Sequence, residues 1–153
     1  MKTILVPVDF TAVTGRVCET AVALAKSMRA RIVLLHSVPP PIVTSEYSVM
    51  LADITVLTAA AEKAATVQLA RLKKSLGAKS VALETLQRFG PPVTHILDQA
   101  EKLGAAYIVI GSHDHSSFYD LLVGSTTRDV LLKANCPVVV VHGEKKKPAA
   151  PAK

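Results

Sequence analysis

The residues with the clearest chemical potential lie between Tyr107 and Arg128. A short apolar run, Tyr107 to Ile110, leads into Gly111-Ser112-His113-Asp114-His115. Further on, Gly124-Ser125-Thr126-Thr127 opens a segment with apolar residues at helical spacing. Glycine has no Cβ, so backbone can approach a ligand closely there. The first turn of a helix carries unpaired N–H groups and the positive end of the helix dipole. Glycine, small hydroxyls and a helix start together make an anion site, most often for phosphate. The same residues also suit a plain strand-to-helix connection with a glycine turn and a hydroxyl cap, and the local pattern leaves both readings open.

Asp9 closes the first apolar run, Ile4-Leu5-Val6-Pro7-Val8. It could hold a polar group of a nucleoside, or simply cap the strand end. A phosphoacceptor aspartate is excluded: that chemistry needs an acidic pair, but Phe10 follows, and no Asp follows Val81 to Leu86. His113 and His115, one residue apart, could chelate a metal ion, but a third ligand is required. His36, His95 and His142 stand at no matching spacing, so no metal is expected. Phosphoryl transfer needs positioned charge stabilisers and a water-positioning group. His113, Asp114, His115 and Arg128 are the available groups, and the P-loop pattern Gly-x-x-x-x-Gly-Lys does not occur. Turnover beyond slow ATP hydrolysis is not expected. Cys18 and Cys136 sit among apolar neighbours and read as structural thiols.

The elements that must position these residues alternate. Strands are expected at Ile4 to Val8, Arg31 to Val38, Val81 to Leu86, Tyr107 to Ile110 and Val138 to Val141. The continuous apolar runs suit parallel strands covered on both faces. Pro7 lacks a donor and marks where pairing ends. Helices are expected between the strands. One has Val17, Ala21, Leu24, Ala25 and Met28 inward, with Thr14 as a cap. A long one carries the stripe Leu57, Ala61, Ala65, Leu69, Leu72 and Leu76 and stops at Gly77. The third follows Gly90-Pro91-Pro92, and the fourth runs from about Thr126 to Ala134. Residues 42–54 are too mixed to assign. This alternation predicts one α/β domain, a doubly wound parallel sheet with helices on both faces.

The chain has 153 residues, half of them hydrophobic but only 4% aromatic, so the core must be aliphatic. Half of the net charge of +6 comes from the end, where Lys145, Lys146, Lys147 and Lys153 oppose Glu144. The folded body is then only mildly basic, without the aromatic platforms or reading helix of a nucleic-acid binder. No run reaches the ~20 apolar residues of a membrane span, and Met1 to Asp9 does not read as a signal peptide. A cytoplasmic protein is expected, with no nucleic-acid or membrane partner.

Three stretches, taken in order, resemble the universal stress protein family: Ile4 to Thr11, ending a strand in Asp; Gly111-Ser112-His113 followed at a distance by Gly124-Ser125-Thr126-Thr127; and Lys133 to Val141. The resemblance covers residues 1–142, with 143–153 as a basic Lys/Pro/Ala tail. It implies a five-stranded parallel sheet, Rossmann-like and of the adenine nucleotide alpha hydrolase type, with the first strand between the second and the fourth. It also implies a nucleotide-binding stress-response or regulatory protein. The ligand would be ATP or another adenine nucleotide, with or without Mg²⁺, and an unknown protein partner would read its state. The implied contacts are Pro7, Val8 and Asp9 at the first strand end and Val38 at the second. Gly111, Gly124 and Ser125 match the family's phosphate motif, with Thr126 and Thr127 just beyond it, and Ser112, His113 and Asp114 follow its first glycine as further implied contacts. Asp114 departs from the pattern, standing where the family has its middle glycine. A Cβ and a carboxylate there oppose a phosphate unless the side chain turns away or shares Mg²⁺. The alternative is therefore a non-nucleotide-binding dimeric interaction protein of the same fold. The resemblance further implies a homodimer, pairing Val138 to Val141 of two copies about a two-fold axis.

Overall fold

The computed structural model of the protein describes residues 1–41, 51–112 and 123–143. Strands and helices alternate: β1 (Thr3–Pro7), α1 (Thr14–Met28), β2 (Arg31–Val38), α2 (Leu51–Gly77), β3 (Leu83–Phe89), α3 (Pro92–Lys102), β4 (Tyr107–Ser112), α4 (Ser125–Lys133) and β5 (Val138–His142). Every strand pair is parallel, in the order β3-β2-β1-β4-β5. The doubly wound α/β sheet expected from the alternation is therefore the fold.

The apolar runs of β1, β2 and β4 take the middle of the sheet, where both faces are covered. Successive side chains of a strand point to opposite faces, and the core divides accordingly. Ile4, Val6, Ile32, Leu34, Val109 and Val141 pack with α1 and α2 on one face. Leu5, Val33, Leu35, Ile108 and Ile110 pack with Ile96 of α3 and Val130 of α4 on the other. Each such side chain contributes about 1.5–3 kcal/mol by leaving water.

Pro7 is the last residue of β1. The Val8 N–H bonds the Leu35 carbonyl of β2 at 2.9 Å. Backbone groups alternate sides along a strand, so position 7 faces β4, where an N–H is not needed. The β1–β4 ladder runs only through Ile4↔Tyr107 and Leu5↔Ile108, and beyond it the two strands part.

Three local expectations are corrected. Thr14 lies inside α1, and the cap position is Val13, with no side-chain cap bond. The third strand begins and ends later than Val81 to Leu86. Ser80, at φ 58°, turns the chain after α2, and pairing with β2 then extends to Val38↔Phe89. Arg88 and Gln87 are accepted because β3 is an edge, and the Gln87 amide donates to the Glu62 carbonyl of α2. On α2, Ala65, Leu69 and Leu76 are buried, whereas Leu57 is 55% exposed and Ala61 is exposed too. At ~1.5 Å per residue this helix is about 40 Å long. The eight residues of β2 span about 26 Å at ~3.3 Å each, so the start of the stripe overhangs the sheet. Among the described residues, no helix is long and apolar enough to cross a membrane.

Candidate functional site

From β1 the sheet grows one way to β2 and β3 and the other way to β4 and β5. A crevice forms beyond the strand C-termini at such a reversal, and ligands of open α/β sheets bind there. In this protein the crevice is a cavity of about 450 Å³, within the ~300–1,000 Å³ typical of small-molecule sites. Its apolar walls come from both core layers, with Val13, the cap of α1, and Val17 on one side and Ile96 and Ile110 on the other. Its polar groups come from the ends of β1 and β2 and from the start of α4.

Most of the sequence-derived site residues meet at this cavity. Pro7, Val8, Asp9, Gly111, Gly124, Ser125, Thr126 and Thr127 all line it. Asp9 also holds the turn into α1: its Oδ1 accepts from the Thr11 N–H at 3.2 Å and the Thr11 hydroxyl at 2.7 Å. The Thr14 hydroxyl approaches the same oxygen at 3.5 Å. The carboxylate thus shapes one wall of the cavity as well as facing it.

At α4, Gly124 is the cap and offers no side-chain acceptor to the first-turn amides. The first helical bond joins the Arg128 N–H to the Gly124 carbonyl at 2.9 Å, so the amides before it have no partner within the helix. No Lys or Arg stands among the described lining residues. An anion there would be held by main-chain N–H groups and the helix dipole rather than by a cation.

The Thr127 hydroxyl is spent inside the fold, donating to the Gly111 carbonyl at 2.8 Å; Thr127 is 3% exposed. The two motif glycines differ in kind. A Cβ on Gly111 would meet Val13 Cγ1 at 2.6 Å and Val17 Cγ2 at 3.1 Å, while one on Gly124 would meet nothing within 4 Å. Packing of α1 on β4 explains Gly111; nothing among the described residues requires glycine at 124.

Two expected contacts lie elsewhere, and two fall outside the described residues. Val38 is buried, and its carbonyl accepts from the Gly90 N–H at 2.9 Å. Its main chain therefore faces β3, away from the cavity. One residue earlier the alternation reverses: Leu35 faces β1, and Ser37, two residues on, turns the same way past the end of β1, where it lines the cavity. At the end of the second strand, Ser37 rather than Val38 lines the cavity. Ser112 also turns away, its hydroxyl meeting His142 Nδ1 at 2.7 Å. His113 and Asp114 lie outside the described residues, as does the His113-Asp114-His115 pair considered for metal. Among the described residues, no group of three or more His, Cys, Asp or Glu could hold a metal ion.

Sequence reasoning missed His36, which lines the cavity. Its Nδ1–H donates to the Val8 carbonyl at 2.7 Å, and its ring packs on Phe10 with centroids 4.5 Å apart. Phe10 itself takes the left-handed conformation, φ 61°, which seats the ring there. The sequence marked His36 only as a metal ligand without company. Neither thiol takes part: burial, and then Glu19, push the Cys18 thiol up to about 11, and burial raises that of Cys136.

Comparison with known proteins agrees with this fold. Residues 1–142 match the profile of the universal stress protein family. The chain is 27% identical over 143 residues to universal stress protein YxiE of Bacillus subtilis, covering 90% of this chain and 97% of that protein. It is 28% identical over 153 residues to universal stress protein MJ0577 of Methanocaldococcus jannaschii, covering 92% and 94%. Among solved structures, UspA from Lactobacillus plantarum superposes with a TM-score of 0.78 at 25% identity, covering 92% of this chain and 97% of that one. A universal stress protein from Archaeoglobus fulgidus, solved in complex with dAMP, superposes with a TM-score of 0.65 at 25% identity, covering 92% and 97%.

Proposed function

The chain belongs to the universal stress protein family, and from that premise we propose that it binds an adenine nucleotide in the cavity between β1 and β4 and acts as a regulatory, stress-response protein. The observation that carries this reading is the start of α4, where the Gly124–Thr127 turn lines a cavity at the sheet's reversal point. The phosphates sit against the amides of that turn, with Gly124 giving the close approach and Ser125 and Thr126 the hydroxyls. The nucleoside lies toward β1 and β2, against Pro7, Val8 and Asp9, with the Ser37 main chain offering one donor and one acceptor to the base. The dAMP complex of the A. fulgidus relative supports a nucleotide of this size. Mg²⁺, if it accompanies a longer phosphate chain, neutralises the charge that Asp114 adds. The protein is cytoplasmic, residues 1–142 are its folded unit, and a protein partner reads the bound state. Turnover is at most slow.

Isothermal calorimetry of the full chain with ATP, ADP, AMP and cyclic AMP tests this. Heat and a raised Tm with at least one of them is expected; silence with all four sinks the reading. Asp114 favours a second reading, in which the fold serves as a non-nucleotide interaction module. An Asp114→Gly variant that gains ATP binding absent from the parent chain would favour the second over the first.

A further inference from the structure

The end of β4 that lines the cavity is held from two sides. Thr127 of α4 holds the Gly111 carbonyl. One residue on, the Ser112 hydroxyl meets His142 Nδ1, at the end of β5, at 2.7 Å. Ser112 is 1% exposed, and among the described residues His142 is the one partner of its hydroxyl. A buried O–H requires an acceptor. Were Nδ1 to carry the hydrogen, it would donate to Ser112 Oγ, and among the described residues the serine hydrogen would have no acceptor. The arrangement therefore favours the Nε2–H tautomer of His142, with Nδ1 accepting from Ser112. The residue is anchored in turn, because Arg16 Nη1 donates to the His142 carbonyl at 2.7 Å. Arg16 lies two residues beyond Thr14, which lines the cavity. A continuous chain of contacts thus runs from the Gly111 wall of the cavity through Ser112, His142 and Arg16 to the α1 wall.

We propose that His142 is a positioning residue for the nucleotide pocket: it fixes the Gly111–Ser112 strand end against β5 and α1, so that the β5 edge and the pocket are coupled. This rests on the nucleotide reading above and adds a residue that does not itself line the cavity. In His142→Ala, AMP affinity measured by calorimetry should fall about tenfold, the equivalent of one lost hydrogen bond. His142→Asn should restore most of it, because an amide oxygen near the Nδ1 position can accept from Ser112; His142→Gln, whose amide reaches further, should not. A merely structural role would not predict that order. Long-range ¹⁵N–¹H spectra of the ligand-free chain should show the Nε2–H tautomer, changed by Ser112→Ala. An Nδ1–H tautomer, a tautomer indifferent to Ser112→Ala, or wild-type AMP affinity in His142→Ala would overturn the proposal. If the parent chain binds another of the four nucleotides but not AMP, that nucleotide replaces AMP; if it binds none of them, the nucleotide reading fails, and the positioning is read from amide resonances instead. In His142→Ala those of Gly111 and Thr127 should shift; changes confined to β5 would overturn it.

Discussion

At the residue scale, the two motif glycines separate packing from binding. An alanine at Gly111 would press on Val13 and Val17, whose branched side chains have little room to give. Gly111→Ala should cost about 1–3 kcal/mol, the range for overpacking, seen as a lower midpoint in urea. Gly124 has φ −53° and ψ 155°, values open to any residue, and free space around its Cβ direction. Gly124→Ala should keep the parent Tm and lose nucleotide affinity. The sequence made the two glycines look alike, because a motif records spacing and not which neighbour forbids the side chain. Cys18 gives a different test. Its folded pKa, raised to about 11, lies above the unfolded value, so folding favours the protonated thiol. The stabilisation is whole below the unfolded pKa and lost as pH rises through the folded one. Stability should therefore fall between about pH 9 and 11, and fall less steeply in Cys18→Ala, which pH-dependent urea melts would show.

At the element scale, what was legible in the sequence was what periodicity encodes. The strands of continuous aliphatic residues fell where expected because nothing else fills a two-sided core. β3 did not, since an edge strand carries Gln87 and Arg88 as readily as leucine, and its start was set by the turn at Ser80. The offset from Val38 to Ser37 has the same origin. A strand's end can be read from composition, but which of two adjacent peptides faces the crevice depends on the register with β1 and β3. The seating of α4 is likewise tertiary. Thr127 looked like a further hydroxyl just beyond the motif, yet of the three hydroxyls there it alone is bonded to Gly111. Thr127→Val keeps the shape and leaves a buried carbonyl short of a donor, so it should cost about 1–3 kcal/mol and weaken nucleotide binding as the helix start drifts. Ser125→Ala, at an exposed position, should leave stability unchanged within about 0.5 kcal/mol. Chemical denaturation of the two variants side by side separates the roles.

At the scale of the whole molecule, β5 is an edge of the sheet, and an aliphatic edge invites pairing. Its backbone orientation follows from one bond: the Pro137 carbonyl accepts from the Ile108 N–H at 3.0 Å, so odd-numbered positions face β4. Val138, Val140 and His142 then face outward, and the His142 carbonyl is already taken by Arg16. Among the described residues, that leaves Val138 and Val140 as the outward-facing pairing groups, with Val140 central. Side-chain substitutions are poor probes here. Val141 is 8% exposed within the core, and a lysine there would unfold the monomer rather than part a dimer. Proline at position 140 is the better probe, since it removes an outward N–H and spares the ladder to β4, as proline at an edge can. We expect the full chain to sediment as a dimer at micromolar concentration and Val140→Pro to sediment as a folded monomer with the parent's far-ultraviolet circular dichroism. A monomeric parent chain would refute pairing through β5. So would a Val140→Pro variant that stays dimeric, because two copies joined antiparallel at this edge must use that N–H.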